Sequence, residues 1–179
     1  MPQNAPISTR RLIARSQVNT SKTRHHGFSL IELMVVVAII AILALMALPN
    51  LSGKYIRENI AEAMPLAKIA KEPVAAAWAA TKTMPDDNAS AGLPAADKIV
   101  NNVVKSVTVE GGAIHIVFGN RANGALQGKT LTLRPAVVED APIVPVAWVC
   151  GHAKAPDKMT ALGTDKTDIP PAHLPVNCL

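Results

Sequence analysis

The chain has 179 residues, of which 49% are hydrophobic but only 3% aromatic, and its formal charge is +5. That length suits one domain with appendages, and a core must be built from aliphatic side chains. Five of the 18 basic residues (Arg10, Arg11, Arg15, Lys22 and Arg24) precede Phe28 and no acid does, leaving 13 bases against 13 acids beyond it. The basic balance therefore belongs to the front of the chain, and a nucleic-acid-binding role for the rest has no electrostatic support.

After this basic front comes an apolar run from Phe28 to Leu48 whose one charged residue is Glu32; Pro49 and Asn50 end it. A helix needs about 20 residues to cross the ~30 Å hydrocarbon layer, so the run is of membrane length. A secretory signal has an apolar region of roughly 7–15 residues, which this exceeds. A twin-arginine signal at Arg10–Arg11 stands too far upstream of the apolar core. Neither signal, nor a simple anchor, accounts for Glu32, since a charge at helix centre costs roughly 2.5–3.5 kcal/mol on insertion scales. The abrupt Gly27–Phe28 junction is also left unexplained.

The stretch "GFSLIELMVVVAII" resembles the processing and assembly segment of type IV pilins. The resemblance implies that a prepilin peptidase cuts after Gly27 and methylates the new amino terminus at Phe28. Glu32 then matches the family's acid at the fifth mature position, and Pro49 its helix-kinking proline. Three departures stand out. The leader, 1–27, is long; His25 and His26 occupy places where Lys or Arg is commoner; and Ala41 stands where many relatives have Gly.

On this reading the acid has a physical purpose. Cleavage creates a positive amine about one helical turn from Glu32. During polymerisation, the acid of an incoming subunit meets the Phe28 amine of its neighbour. A buried charge is tolerated when paired and costly when not, so Glu32 acts as a register device between apolar helices.

Downstream, the apolar residues Ile56, Ile60, Met64, Ala67, Ala70, Val74 and Ala77–Trp78 recur in steps of three and four, which predicts one buried helical stripe to about Thr81. Pro65 and Pro73 fall inside it, so the helix is expected to kink or end early there. Residues 82–101 read as a loop by composition, with a turn of helix near Ala95–Ile99. Alternating runs then predict strands at 103–109, 113–118, 129–134 and 144–150, with a hairpin turn at 110–112 and a Gly-rich loop at 119–128. The prolines of the fourth run mark it as an edge strand. His115 is out of phase with Ile114 and Ile116 and is expected on the outer sheet face.

Cys150 and Cys178 bound a proline-rich tail with little periodicity. An even pair in an exported chain favours a disulfide, and with His152 and His173 the spacing matches no compact zinc site. The tail resembles the disulfide-bounded loop that ends many pilins. With no core of its own, it is expected to depend on the Cys150–Cys178 bridge, worth roughly 3–4 kcal/mol in a chain-entropy model.

The expected fold is α+β: a long N-terminal helix, membrane-spanning in its first half, packed against a three- to four-stranded antiparallel sheet. Its divisions are a leader 1–27, an apolar transmembrane and assembly helix 28–49, and a head 50–179. The head comprises helix 50–80, loop 81–102, sheet 103–150 and disulfide loop 150–178. No catalytic constellation or cofactor site is read from the residues. The resemblance implies a structural subunit that waits in the inner membrane of a Gram-negative cell and polymerises into an extracellular type IV pilus. Its partners are copies of itself, the prepilin peptidase and the inner-membrane assembly platform; adhesion, twitching motility and DNA uptake follow from the filament. Alternatives are a minor pilin or type II secretion pseudopilin, and a membrane-anchored binding protein that never polymerises.

Overall fold

The computed structural model describes residues 27–179, apart from the side chains of residues 47–52. Of the expected leader, residues 1–26 lie outside the described residues; the backbone at Pro49 belongs to a helix, and its side chain is outside the described ones. Helix α1 covers Leu30–Thr81, and the chain divides into two compact units, one ending at Ala41 and the other spanning Ile42–Leu179. Among the described residues no helix is long and apolar enough to cross a membrane. The described apolar side chains end at Met46, short of the full run to Leu48.

In the second unit, α1 buries Ile56, Ile60, Ala63, Ala67, Ala70, Val74 and Trp78. These steps of four and three place one stripe along the helix, as the spacing predicts. One detail differs: Ala63 is fully buried, whereas Met64 only packs against the margin of the core. Three alanines in the middle of the stripe offer little bulk, so the helix axis can approach the sheet closely. Pro65 is exposed and Pro73 half-buried. Of the two expected outcomes, early termination is not seen: neither proline ends the helix, because both rings lie off the packed stripe and the buried side chains on either side hold it. The helix stops where Lys82 turns into the left-handed region at φ 58°. There the Lys82 N–H still donates to the Trp78 carbonyl at 2.9 Å, and the Thr81 hydroxyl donates to the Ala77 carbonyl at 2.8 Å.

Five antiparallel strands face it: β1 (Val104–Glu110), β2 (Ala113–Phe118), β3 (Thr130–Val137), β4 (Ala147–Cys150) and the two-residue β5 (Thr160–Ala161). The order is β1-β2-β3-β4, with β5 paired to the end of β3. β4 is an edge strand as expected, but it starts only at Ala147, since Pro145 cannot donate to a ladder. β1 changes phase at a bulge between Val104 and Ser106. The extra residue lets Val104 and Val107 both face the core, where simple alternation would part them. Glu110 pairs with Ala113 across Gly111 and Gly112, at φ +55° and +80°. Two successive positive values are what a two-residue hairpin of the primed type requires.

The head's core joins the α1 stripe to Val107, Val109, Ile114, Ile116, Phe118, Leu131 and Leu133 of the sheet. Burial of each such Val, Leu, Ile or Phe side chain stabilises by about 1.5–3 kcal/mol before entropy is counted.

One sequence expectation gains a detail and another is corrected. The loop over 82–101 is a loop, but a pinned one. Buried Asn88 accepts the Val109 N–H at 2.6 Å and donates to the carbonyls of Val107 and Pro94, both at 3.0 Å. It thereby satisfies the free edge of β1. The C-terminal tail, expected to lack a core, sends Ile169 and Leu174 into the main one at 1% exposure each.

Candidate functional site

The assembly segment starts at an open junction. Gly27 and Phe28 precede the helix in irregular backbone, a β-carbon at Gly27 would touch nothing within 4 Å, and Phe28 is 82% exposed. The peptide bond between them is uncrowded. The helix then opens, with the Leu33 N–H donating to the Ser29 carbonyl at 3.1 Å. Glu32 lies in its first turn, where a carboxylate is favoured by the positive end of the helix dipole.

Every large apolar side chain from Phe28 to Met46 is exposed, including Leu30, Ile31, Met34, Ile40 and Leu45. Small residues open a shallow groove among Leu33, Met34, Val37, Ala38 and Ala41. An apolar surface this long, around the whole helix, is not stable in water and calls for lipid or for other copies of itself.

The second expected feature is the tail. Cys150 and Cys178 are joined in a disulfide. Beside it the His152 N–H donates to the Cys178 carbonyl at 3.0 Å, and Gly151 donates to the Thr132 carbonyl at 2.8 Å. Arg134 reaches out from β3 and donates through Nη2 to the carbonyls of Gly151 and Ala153, both at 3.2 Å. Farther along, the Thr130 N–H donates to Asp168 Oδ1 and the Thr132 N–H to Thr167 Oγ1. Sequence reasoning missed these bonds because they join residues 17 to 38 positions apart.

That strap also changes the setting of His115. The residue pairs with Thr108 and Thr132 and so lies on the sheet face away from Ile114 and Ile116, as expected. The face is not open, however, and His115 is only 5% exposed. Residues 163–167 cover it: Gly163 packs on Ala113, and the Lys166 N–H donates to Thr132 Oγ1. The same hydroxyl lies 2.9 Å from His115 Nδ1. Nε2 has no hydrogen-bond partner and stands 3.8 Å from Glu110, whose carboxylate is held by Lys166. Burial pushes the His115 pKa down, Lys166 pushes it further, and Glu110 and Asp165 pull less strongly the other way. His152 meets Asp165 at 2.9 Å, across the strap rather than in a metal site.

Residues 57–179 match the family model described as pilin, a bacterial filament protein. The chain belongs to the pilin family. In this pilin, residues 22–48 match the prokaryotic N-terminal methylation motif, which takes in Gly27, Phe28 and Glu32. A type IV major pilin of Neisseria gonorrhoeae is 37% identical over 163 residues, covering 87% of this chain and 88% of the relative. A fimbrial protein of Neisseria meningitidis serogroup B is 33% identical over 165 residues, covering 87% and 95%. A fimbrial protein of Eikenella corrodens is 42% identical over 112 residues, covering 60% and 72%. This homology supports a structural role for the pilin as a pilus subunit.

Proposed function

We propose that this pilin is the major structural subunit of a type IV pilus. In that reading a prepilin peptidase cuts after Gly27 and methylates the amine of Phe28. The subunit waits in the inner membrane by its apolar helix, and the assembly platform draws it into a filament outside the cell. Glu32 pairs with the Phe28 amine of a neighbouring copy, so that one axial stagger satisfies both charges. The observation that carries the reading is a fully exposed apolar surface from Phe28 through the helix to Met46, whose single ionisable side chain is Glu32 in the helix's first turn. Adhesion, twitching motility and DNA uptake would be properties of the filament and its retraction.

The test is electron microscopy and N-terminal sequencing of sheared surface fibres from a parent strain and one lacking the gene. N-methylated Phe28 in fibres absent from the deletion strain is expected. Membrane-extracted chain retaining residues 1–27, with fibres unchanged by the deletion, rules the reading out. A Glu32→Ala chain should insert and be cleaved yet yield few fibres; full piliation would remove the role given to the acid.

A further inference from the structure

Outside the assembly segment, the head carries a cleft of about 360 Å³ between α1 and the edge formed by β4 and the C-terminal turn. Arg57, Met64 and Lys71 line it from the helix, Trp148 and Asn177 from the other side, and its lining contains no acid. Arg57 and Lys71 are 14 positions apart, about 21 Å along a helix rising 1.5 Å per residue. The cleft is thus a groove with a cation toward each end and an apolar floor. Among the described residues neither cation has a carboxylate partner. Lys71 is held over the Trp148 ring, 5.4 Å from its centroid, and partial burial lowers its pKa. A desolvated ammonium without a counter-ion gains from any carboxylate brought to it.

The same chain carries the complement elsewhere. Residues 138–146, between β3 and β4, form two successive turns, closed by Ala141 N–H to the Val138 carbonyl and Val144 N–H to the Ala141 carbonyl. Glu139 and Asp140 occupy the centre of the first turn, Pro142 and Ile143 that of the second. Both acids are exposed, and neither has a basic partner among the described residues. Ile143 is 92% exposed, more than any other large apolar residue described.

We propose that the acidic double turn of one copy seats in the cationic groove of a second. Glu139 and Asp140 enter the positive field that Arg57 and Lys71 set along the groove, with the acids against Lys71, and Ile143 lies on the floor beside Met64 and Trp148. The inference rests on the filament reading, which places copies side by side and so supplies the loop at high effective concentration. It gives opposite-charge neighbours to two acids and two bases that have none among the described residues. Small anions would satisfy the cations but leave Ile143 in water.

The test compares sheared filaments from four full-length chains: the unaltered one, Glu139→Lys with Asp140→Lys, Arg57→Glu with Lys71→Glu, and all four changes together. Each double reversal should cut filament yield by roughly tenfold through like-charge contact, and the fourfold chain should recover most of it. No recovery, with thermal melting of the heads unchanged, overturns the pairing alone. Loss with the groove reversal but not the loop reversal also overturns it, since the occupant is then something else. Absence of filaments from the unaltered chain overturns both readings. A second measurement changes no charge: Ile143→Cys with Met64→Cys should give a ladder of oxidatively linked chains in filaments, and neither single substitution should. Filaments of that double variant without a ladder overturn the contact.

Discussion

Gly151 is pressed against the carbonyl of Cys178: a β-carbon at 151 would lie 2.6 Å from that oxygen, and the backbone there is left-handed at φ +54°. Only glycine meets both conditions without strain. Gly151→Ala should therefore cost the head about 1–3 kcal/mol, the usual range for forced left-handed backbone. Thermal melting of the purified chain reads the loss, and an unchanged midpoint would contradict the described turn.

The disulfide beside it invites a second experiment. Cys178→Ser should destabilise the head by roughly 3–4 kcal/mol on the chain-entropy model. Ile169 and Leu174 remain buried anchors upstream. Proteolysis should therefore open the chain end beyond Leu174 first, while the β1–β4 strands stay protected. Uniform sensitivity of the whole head would show that the anchors contribute little.

Asn88 supplies a third. Asn88→Ala orphans the Val109 N–H and removes a donor from the carbonyls of Val107 and Pro94. Each buried group left unsatisfied costs about 1–3 kcal/mol. Hydrogen exchange at Val109 should accelerate along with a lower melting point. Exchange at the parental rate would mean that solvent already reaches this edge.

Acid should weaken the head. An unfolded histidine titrates near 6.5, and buried His115 titrates lower in the fold. Between the two values the unfolded chain binds more protons, so stability rises with pH. This contribution is complete above the unfolded value and is lost as pH falls toward the folded one. Glu110, held below the usual carboxylate range by Lys166, loses its contribution at still lower pH. A denaturant midpoint lower at about pH 5 than at about pH 7.5 is expected, and His115→Asn should narrow that gap. An identical gap in the variant would exonerate the imidazole.

The parts of this architecture that were legible in the sequence are those whose cause is local. Glu32 stands out because a carboxylate in an apolar run is chemically conspicuous at once. The α1 stripe and strands β1, β2 and β3 follow from periodicities of a few residues. Misreadings arose where distant chain decides the outcome. Two residues of β5 carry no pattern of their own, and Ile169 and Leu174 are lone apolar residues among prolines. His115 was placed on the correct face but not beneath Lys166 and Thr167, since a strap 50 positions later leaves no trace near the strand. The groove between Arg57 and Lys71 is equally invisible, because only folding brings Trp148 alongside the helix.

Pro65 and Pro73 have one more effect. Lacking amide hydrogens, they leave the carbonyls of Ala61 and Ile69 without the usual intrahelical donor, so two rungs of the ladder are missing within a stretch of packed spiral. Under tension along its axis, the spiral should lengthen first at those gaps. A cable twisted from such strands would stretch a little before any of them tore free.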